Sequence, residues 1–271
     1  MIPLAITGLS IRRRSDRRML IEDLDCTVHP GEIVGLVGQS GSGKSLTALA
    51  ATGMLPAALE QVAGRIAVTG TPIDGLGPKA LRDLRRRRIS LIFQDPMTAL
   101  SPTRSIGAQM GDILAAAGIP RADRPARACR LLGDMDLPDP AALMRRFAHQ
   151  LSGGQRQRVL IAMAFAGSPA VVLADEVTTA LDVSVRAQVL RLLVGRARQS
   201  GSGLLFITHD LGAARSCCDR VLVMAEGRVV ESGPAVEVFA RPASPEARHL
   251  LAALPERSAP RQMLPVAGAE P

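Results

Sequence analysis

Short, almost unbroken apolar runs punctuate the chain. Ile33-Val34-Gly35-Leu36-Val37 leads into a Gly/Ser-rich segment, and the helix-compatible Leu46-Thr47-Ala48-Leu49-Ala50-Ala51 follows, which predicts strand, loop and helix in that order. Three further runs, Ile89 to Phe93, Ala170 to Ala174 and Leu204 to Thr208, have the same character. Strands that are apolar at consecutive positions are buried on both faces, so they predict a parallel sheet within an α/β domain. Val221 to Met224 and Arg228 to Glu231 flank Glu226-Gly227, the pattern of a hairpin. Between Thr103 and Ala166 the strand signal fades, and Ala, Leu, Arg and Met at helical spacing predict a helical insertion. The segment from Arg241 to Pro271 is rich in proline and has little periodicity beyond Pro255, which predicts a poorly ordered tail.

Composition narrows the class. The 271 residues are enough for one large domain or two intimate ones, and 47% hydrophobic with 21% charged residues excludes intrinsic disorder and fibrous repeats. No run of about 18 apolar residues is present and the first residues do not read as a secretory signal, so neither a membrane span nor a secreted chain is expected. Cys26, Cys129, Cys217 and Cys218 have no C-x-x-C spacing and are expected to be reduced thiols. The net charge of +8 is compatible with nucleic acid, an anionic membrane surface or an arginine-biased genome. Trp and Tyr are absent and all five Phe lie at or after Phe93, which removes most of the stacking platforms a single-strand binder needs. The run Arg82-Asp83-Leu84-Arg85-Arg86-Arg87-Arg88 is most simply a solvated face; as a functional patch it would meet anionic lipid or acidic groups of a membrane partner.

Gly38-Gln39-Ser40-Gly41-Ser42-Gly43-Lys44-Ser45, followed by Leu46, matches the phosphate-loop pattern G-x-x-x-x-G-K-[ST]. Its backbone N–H groups would curl around phosphate oxygens at a helix N-terminus, Lys44 would reach the β- and γ-phosphates, and the Ser45 hydroxyl would hold Mg²⁺. Of the 33 basic residues only Lys44 and Lys79 are lysine. A chain that otherwise writes arginine places a compact ammonium where a planar guanidinium would not fit. Val171-Val172-Leu173-Ala174-Asp175-Glu176 is an apolar strand ending in two carboxylates. By itself such an end is usually an ordinary strand terminus; with a phosphate loop upstream, Asp175 becomes a candidate Mg²⁺ ligand and Glu176 a candidate to polarise the attacking water.

Together these residues resemble the ATP-binding-cassette (ABC) ATPases over about Leu4 to Val238. Leu151-Ser152-Gly153-Gly154-Gln155 is similar to the signature sequence of that family, Phe93-Gln94-Asp95 to its Q-loop, Ala180-Leu181-Asp182 to its D-loop and Thr208-His209-Asp210 to its switch histidine. Gly43 to Thr47, Phe93 to Pro102, Thr178 to Val183 and the segment Ser244 to Pro255 resemble the oligopeptide, dipeptide and nickel importer ATPases in particular. Three positions depart from the pattern. Val177 replaces the usual Pro, no Cys follows Cys218, and Ile11-Arg12-Arg13-Arg14 occupies the region of the aromatic residue that stacks on adenine.

The resemblance implies a P-loop NTPase core with a parallel sheet, an antiparallel β subdomain and an inserted α-helical subdomain. The ATPase domain would span 1–240, with the insertion at about 97–166, and 241–271 would be a C-terminal extension. It implies ATP and Mg²⁺ as cofactors, with Ser45, Gln94 and Asp175 at the metal and Glu176, His209, Gln94 and Lys44 in catalysis. Ser152, Gly153, Gly154 and Gln155 would bind the γ-phosphate held by a second ATPase subunit, identical or paralogous, and Asp182 would belong to the D-loop between them. The expected partners are two membrane permeases and, indirectly, an extracytoplasmic solute-binding protein, which puts the chain at the cytoplasmic face of the cell membrane as the motor of a peptide or nickel importer. A nucleic-acid-acting ABC ATPase is the alternative, though such relatives commonly carry two cassettes or long coiled-coil insertions. A non-hydrolysing sensor fits less well because Glu176 and His209 are both present.

Overall fold

The structure, a computed structural model, describes residues 1–178 and 181–252; Ala180 of the expected D-loop and the tail beyond residue 252 lie outside the described residues. In chain order it forms β1 (Leu4–Arg13), β2 (Met19–Val28), β3 (Ile33–Gly38), α1 (Lys44–Ala51), β4 (Leu59–Val68), β5 (Thr71–Pro72), α2 (Pro78–Arg87) and β6 (Ile89–Ile92). The helices α3 (Pro96–Ala99), α4 (Ile106–Ala116), α5 (Arg124–Gly133), α6 (Pro140–Leu143) and α7 (Gly153–Ala164) follow without an intervening strand. The chain then runs through β7 (Val171–Asp175), α8 (Val183–Ser200), β8 (Gly203–Thr208), α9 (Leu211–Cys217), β9 (Arg220–Ala225), β10 (Arg228–Pro234), α10 (Ala235–Ala240) and α11 (Pro245–Ala252).

Six strands make the central sheet in the order β10-β9-β3-β8-β7-β6, parallel throughout except for β10. Its apolar runs are divided between two cores by the two-residue period of a strand. Ile33, Val172, Ala174, Leu204 and Phe206 face a core shared with the helical insertion and α8. Val34, Leu36, Val171, Leu173, Leu205 and Ile207 face a second core under α1 and the other sheet. The expected hairpin forms as a two-residue turn in which Glu226 and Gly227 both have positive φ, the geometry that matches strand twist.

The second sheet, antiparallel in the order β2-β1-β4-β5, is where the hydrophobic pattern alone says least. β1 buries Leu4 and Ile6, then Leu9 and Ile11, and the register shift between the two pairs breaks the alternation. Gly8 and Asp23, both at positive φ, sit at these irregularities of β1 and β2. A bulge moves every later side chain by one face, so a period-two search across it fails. The arginine run expected as a solvated face is helix α2, which buries only Leu84. At the end of the described residues α10 and α11 pack on β9 and β10 around Val223, Val238 and Ala247, and the stretch beyond Pro255 that is expected to be poorly ordered lies outside the described residues. Glu231 ties this end down: its carboxylate accepts from the N–H groups of Ala243 (2.9 Å) and Ser244 (2.8 Å) and from the Ser244 hydroxyl (2.8 Å).

Candidate functional site

Because β3, β8, β7 and β6 are adjacent and parallel, the four loops that leave their C-terminal ends share one edge of the sheet. They carry the phosphate-loop segment, His209, Asp175-Glu176 and Phe93-Gln94. At the first of them, Gly43 has φ +108°, and a Cβ there would lie 2.7 Å from Met224 Cε and 3.2 Å from the Leu20 carbonyl oxygen, so only glycine passes. The helix that starts at Lys44 has no side-chain cap and no acidic residue in its first turn. Its N-terminal N–H groups and dipole are left to an anion.

Lys44 is buried, and its ammonium donates to the carbonyl oxygens of Gly38 (3.0 Å) and Gln39 (2.7 Å). Burial pushes its pKa down, while the nearby carboxylates of Glu176 and Asp175 push it back up. The Ser45 hydroxyl donates to Asp175 Oδ1 at 3.1 Å, which joins the phosphate loop to the end of β7. Burial raises the Asp175 pKa, Ser45 opposes that, and the neighbouring Glu176 charge adds to it. A hydroxyl and a partly desolvated carboxylate within hydrogen-bond distance are hard oxygen donors of the kind that bind Mg²⁺. Among the described residues no group of three or more His, Cys, Asp and Glu could hold a metal. A metal bound by few protein oxygens and completed by substrate phosphates fits this site.

Glu176 is the hub of the edge. Its φ is +48°, a backbone state that costs a non-glycine residue about 1 to 3 kcal/mol and persists only where the surroundings hold it. Its N–H donates to the Ile207 carbonyl of β8 at 2.9 Å. The side chain is 14% exposed. Gln94 Nε2 donates to Glu176 Oε2 at 2.9 Å, and His209 Nδ1 shares a 3.0 Å hydrogen bond with Glu176 Oε1. Lys44, Ser45, Asp175, Glu176, Gln94 and His209 are thus brought together as one polar constellation. Chemically it can receive a triphosphate at a helix N-terminus, hold a divalent cation beside it and orient a water with a carboxylate.

The signature residues are not part of this cluster. Ser152 caps α7 in a capping box: its Oγ accepts from the Gln155 N–H (3.3 Å), and Gln155 Oε1 accepts from the Ser152 N–H (3.0 Å). Among the described residues no hydrogen bond links Ser152 to Gln155 with the phosphate loop. Ser152 and Gly153 are exposed. Gly154 abuts α8 so closely that a Cβ would lie 2.6 Å from Val185 Cγ1. Asp182 caps α8, accepting from the Val185 N–H (2.9 Å) and the Ser184 hydroxyl (2.7 Å), and those bonds hold its pKa below the ordinary carboxylate value. In the Ile11 to Arg14 segment, where the resemblance puts an aromatic residue on adenine, Arg12 pairs with Glu60 at 2.5 Å and Arg13 with Asp16 at 3.1 Å. Arg186 was not flagged by the sequence; a cation four positions after a helix-capping Asp carries no signal until its partner, Asp210, is placed.

A sheet edge of this kind with a capped signature helix defines a nucleotide-hydrolysing cassette. The chain belongs to the ABC transporter family, which it matches over residues 21–179, and it is an ATPase of that family. It is 46% identical to the probable D,D-dipeptide transport ATP-binding protein DdpD of Escherichia coli, over 90% of this chain and 75% of that protein. It is 42% identical to the oligopeptide transport ATP-binding protein OppD of Salmonella typhimurium, over 93% of this chain and 75% of the relative. Among solved structures it resembles cbiO1 from Clostridium perfringens, part of the transporter complex cbiONQ, with a TM-score of 0.78 and 29% identity across 89% of this chain and 91% of that one. The ATP-binding cassette MJ0796, a dimer in a post-hydrolysis state bound to ADP and Pi, matches with a TM-score of 0.74 and 25% identity, over 86% and 98% of the two chains.

Proposed function

We propose that the chain is the motor subunit of an importer of short peptides, converting ATP binding and hydrolysis into the movement of membrane permeases. The observation that carries this reading is the Glu176 carboxylate held between Gln94 and His209, one residue from the Asp175–Ser45 pair at the mouth of the phosphate loop. In this reading Gly38 to Leu46 cradle the phosphates and Lys44 exchanges its carbonyl partners for the β- and γ-phosphate oxygens. Ser45 and Asp175, with Gln94, would hold Mg²⁺, which would supply charge neutralisation at the phosphates. Glu176 accepts a proton from the attacking water, and His209 orients Glu176 and meets the γ-phosphate. Such a site works by positioning and charge stabilisation.

The exposed signature cap, unconnected to its own phosphate loop, supports a sandwich in which Ser152 to Gln155 of one chain face the ATP of a second, with Asp182 in between. Residues 1–240 form the working ATPase in this scheme, with the insertion at about 97–166, and 241–271 serve as a C-terminal extension. Peptide rather than nickel is the proposed solute because the relatives cited are named for peptide and dipeptide transport. Among the described residues no helix is long and apolar enough to cross a membrane. Two permeases would therefore supply the pathway, an extracytoplasmic binding protein would deliver the solute, and the chain would sit at the cytoplasmic face.

The test is uptake of a labelled dipeptide by cells lacking the chromosomal copy. Wild type should restore uptake, Lys44→Ala should not, and the tagged chain should bring down two permeases from membranes. Dipeptide uptake equal in the presence and absence of the chain, with no permease recovered, would contradict the importer reading.

A further inference from the structure

A closed ring of contacts joins the loop after β7 to the loop after β8, and one side chain completes it. Starting from Glu176, the chain reaches Thr178, whose carbonyl accepts from the Leu181 N–H at 3.3 Å. The Leu181 carbonyl accepts from Arg186 Nη2 at 3.4 Å, and Arg186 Nη1 donates to Asp210 Oδ2 at 2.9 Å. Asp210 adjoins His209, whose ring returns to Glu176 at 3.0 Å. Asp210 is fixed at three points. Its other oxygen, Oδ1, caps α9 through the Ala213 N–H (2.9 Å), its own N–H donates to Thr208 Oγ1 (2.9 Å), and Arg186 takes Oδ2. The Arg186 and Asp210 side chains are 34% and 28% exposed, so solvent screens this pair less than a pair on the open surface.

We infer that Arg186 is a positioning residue for hydrolysis: it locks the switch-histidine loop to the loop that leads from Glu176 into α8, so that His209 and Glu176 keep their 3.0 Å contact when the nucleotide arrives. The inference rests on the catalytic reading of Glu176 and His209 given above. Among the described residues the Arg186 guanidinium bonds Asp210 and the Leu181 carbonyl, and it is through these that it would act. α8 is also the helix that Gly154 abuts and that Asp182 caps, so the same bridge connects the signature end of the chain with its own catalytic edge. A planar fork suits this position because it reaches a carboxylate and a carbonyl on two different loops at once, whereas a lysine offers one point charge.

The test is a double-mutant cycle on the tagged full chain, purified with the subunits that accompany it, measuring ATP turnover and ATP affinity. Asp210→Asn keeps an oxygen for the α9 cap and removes the charge that Arg186 holds, so it carries the test should Arg186→Gln fold poorly. Arg186→Gln and Asp210→Asn should each lower kcat about tenfold, with ATP affinity within twofold of wild type. The double variant should be no slower than the slower single one, and Arg186→Lys should recover part of the loss. Turnover of Arg186→Gln within twofold of wild type, losses that multiply in the double variant, or a parallel loss of ATP affinity would overturn the positioning role. His209→Ala is measured alongside. If it keeps wild-type turnover, the catalytic reading itself fails and this inference with it; if it is inactive while Arg186→Gln is unaffected, only the inference fails.

Discussion

The C-terminal edge of the central sheet and the Ser152 end of α7 present their candidate groups in opposite ways. At the sheet edge Lys44 is held by carbonyls of its own loop, but the cluster as a whole is not assembled by sequence neighbours. Lys44, Gln94, Glu176 and His209 come from four loops, and the register of four parallel strands brings them to one place. At the signature end nearly everything is local, since Ser152 and Gln155 cap each other across one helical turn and Asp182 does the same for α8. Each region is therefore fragile in its own way. A change in the sheet edge removes a charge or a proton acceptor and leaves the scaffold standing. A change at the signature alters a helix end and whatever packs on it, with α8 pressed against Gly154 on the inner side and the outer side exposed.

Four substitutions test that contrast. Of these four the largest effect is expected from Lys44→Ala, which removes the buried ammonium of the phosphate-loop segment. Losing one preorganised charge stabiliser lowers turnover by about 10²- to 10³-fold. Phosphate-release assays should record this with the melting temperature little changed. A drop of less than tenfold would place the phosphates elsewhere. Next is Ser152→Arg, which puts a bulky cation at the exposed cap. ATP binding to the monomer should survive while ATP-driven dimerisation, followed by light scattering in a hydrolysis-deficient background, disappears. Undiminished dimerisation would contradict a role for this surface opposite a second nucleotide.

Asp182→Ala is expected to act on stability first. It should lower the melting temperature by about 2 to 4 °C, the change that one lost helix cap produces in a chain of this size. The folded-state pKa of Asp182 is depressed, so its stabilisation is fully present above the ordinary carboxylate value and is lost as pH falls through the lower folded value. Acid titrations of melting temperature should therefore show a shallower acid limb in the variant than in wild type, and identical limbs would show that the cap does not form. The smallest effect is predicted for Arg13→Ala. Arg13 is paired to Asp16 and Arg12 to Glu60, so each guanidinium has a carboxylate partner, and breaking the exposed Arg13 pair costs little. ATP affinity should change by less than about twofold, because stacking, which is worth about 1 to 3 kcal/mol per base, is not lost. A tenfold loss in a nucleotide titration would assign Arg13 to the adenine.

The same contrast explains what could be read before the structure. Runs such as Leu204 to Thr208 are legible because burial on both faces leaves no polar interruption, and Gly38 to Ser45 is legible because its glycines and lysine are needed within eight positions. Ser152 and Gln155 are legible as a cap for the same local reason. The antiparallel sheet is hidden by its bulges at Gly8 and Asp23, and only resemblance to a family predicts it. That Glu176 bonds both Gln94 and His209 depends on strand order and on a left-handed φ at Glu176, neither of which is written locally. Arg186 is the extreme case, since its meaning lies wholly in a partner 24 residues away.

Whether Glu176, and not merely the phosphate loop, performs the chemistry at this edge is decided by Glu176→Gln. Glu176→Gln preserves the shape of the side chain and one of its two acceptor oxygens while removing its ability to take a proton. Measured in the assembled complex, ATP turnover should fall by about 10²- to 10⁴-fold, the range for loss of a general base. ATP affinity should stay at the wild-type level, and an ATP-bound dimer should accumulate. Turnover within a few-fold of wild type would contradict the account.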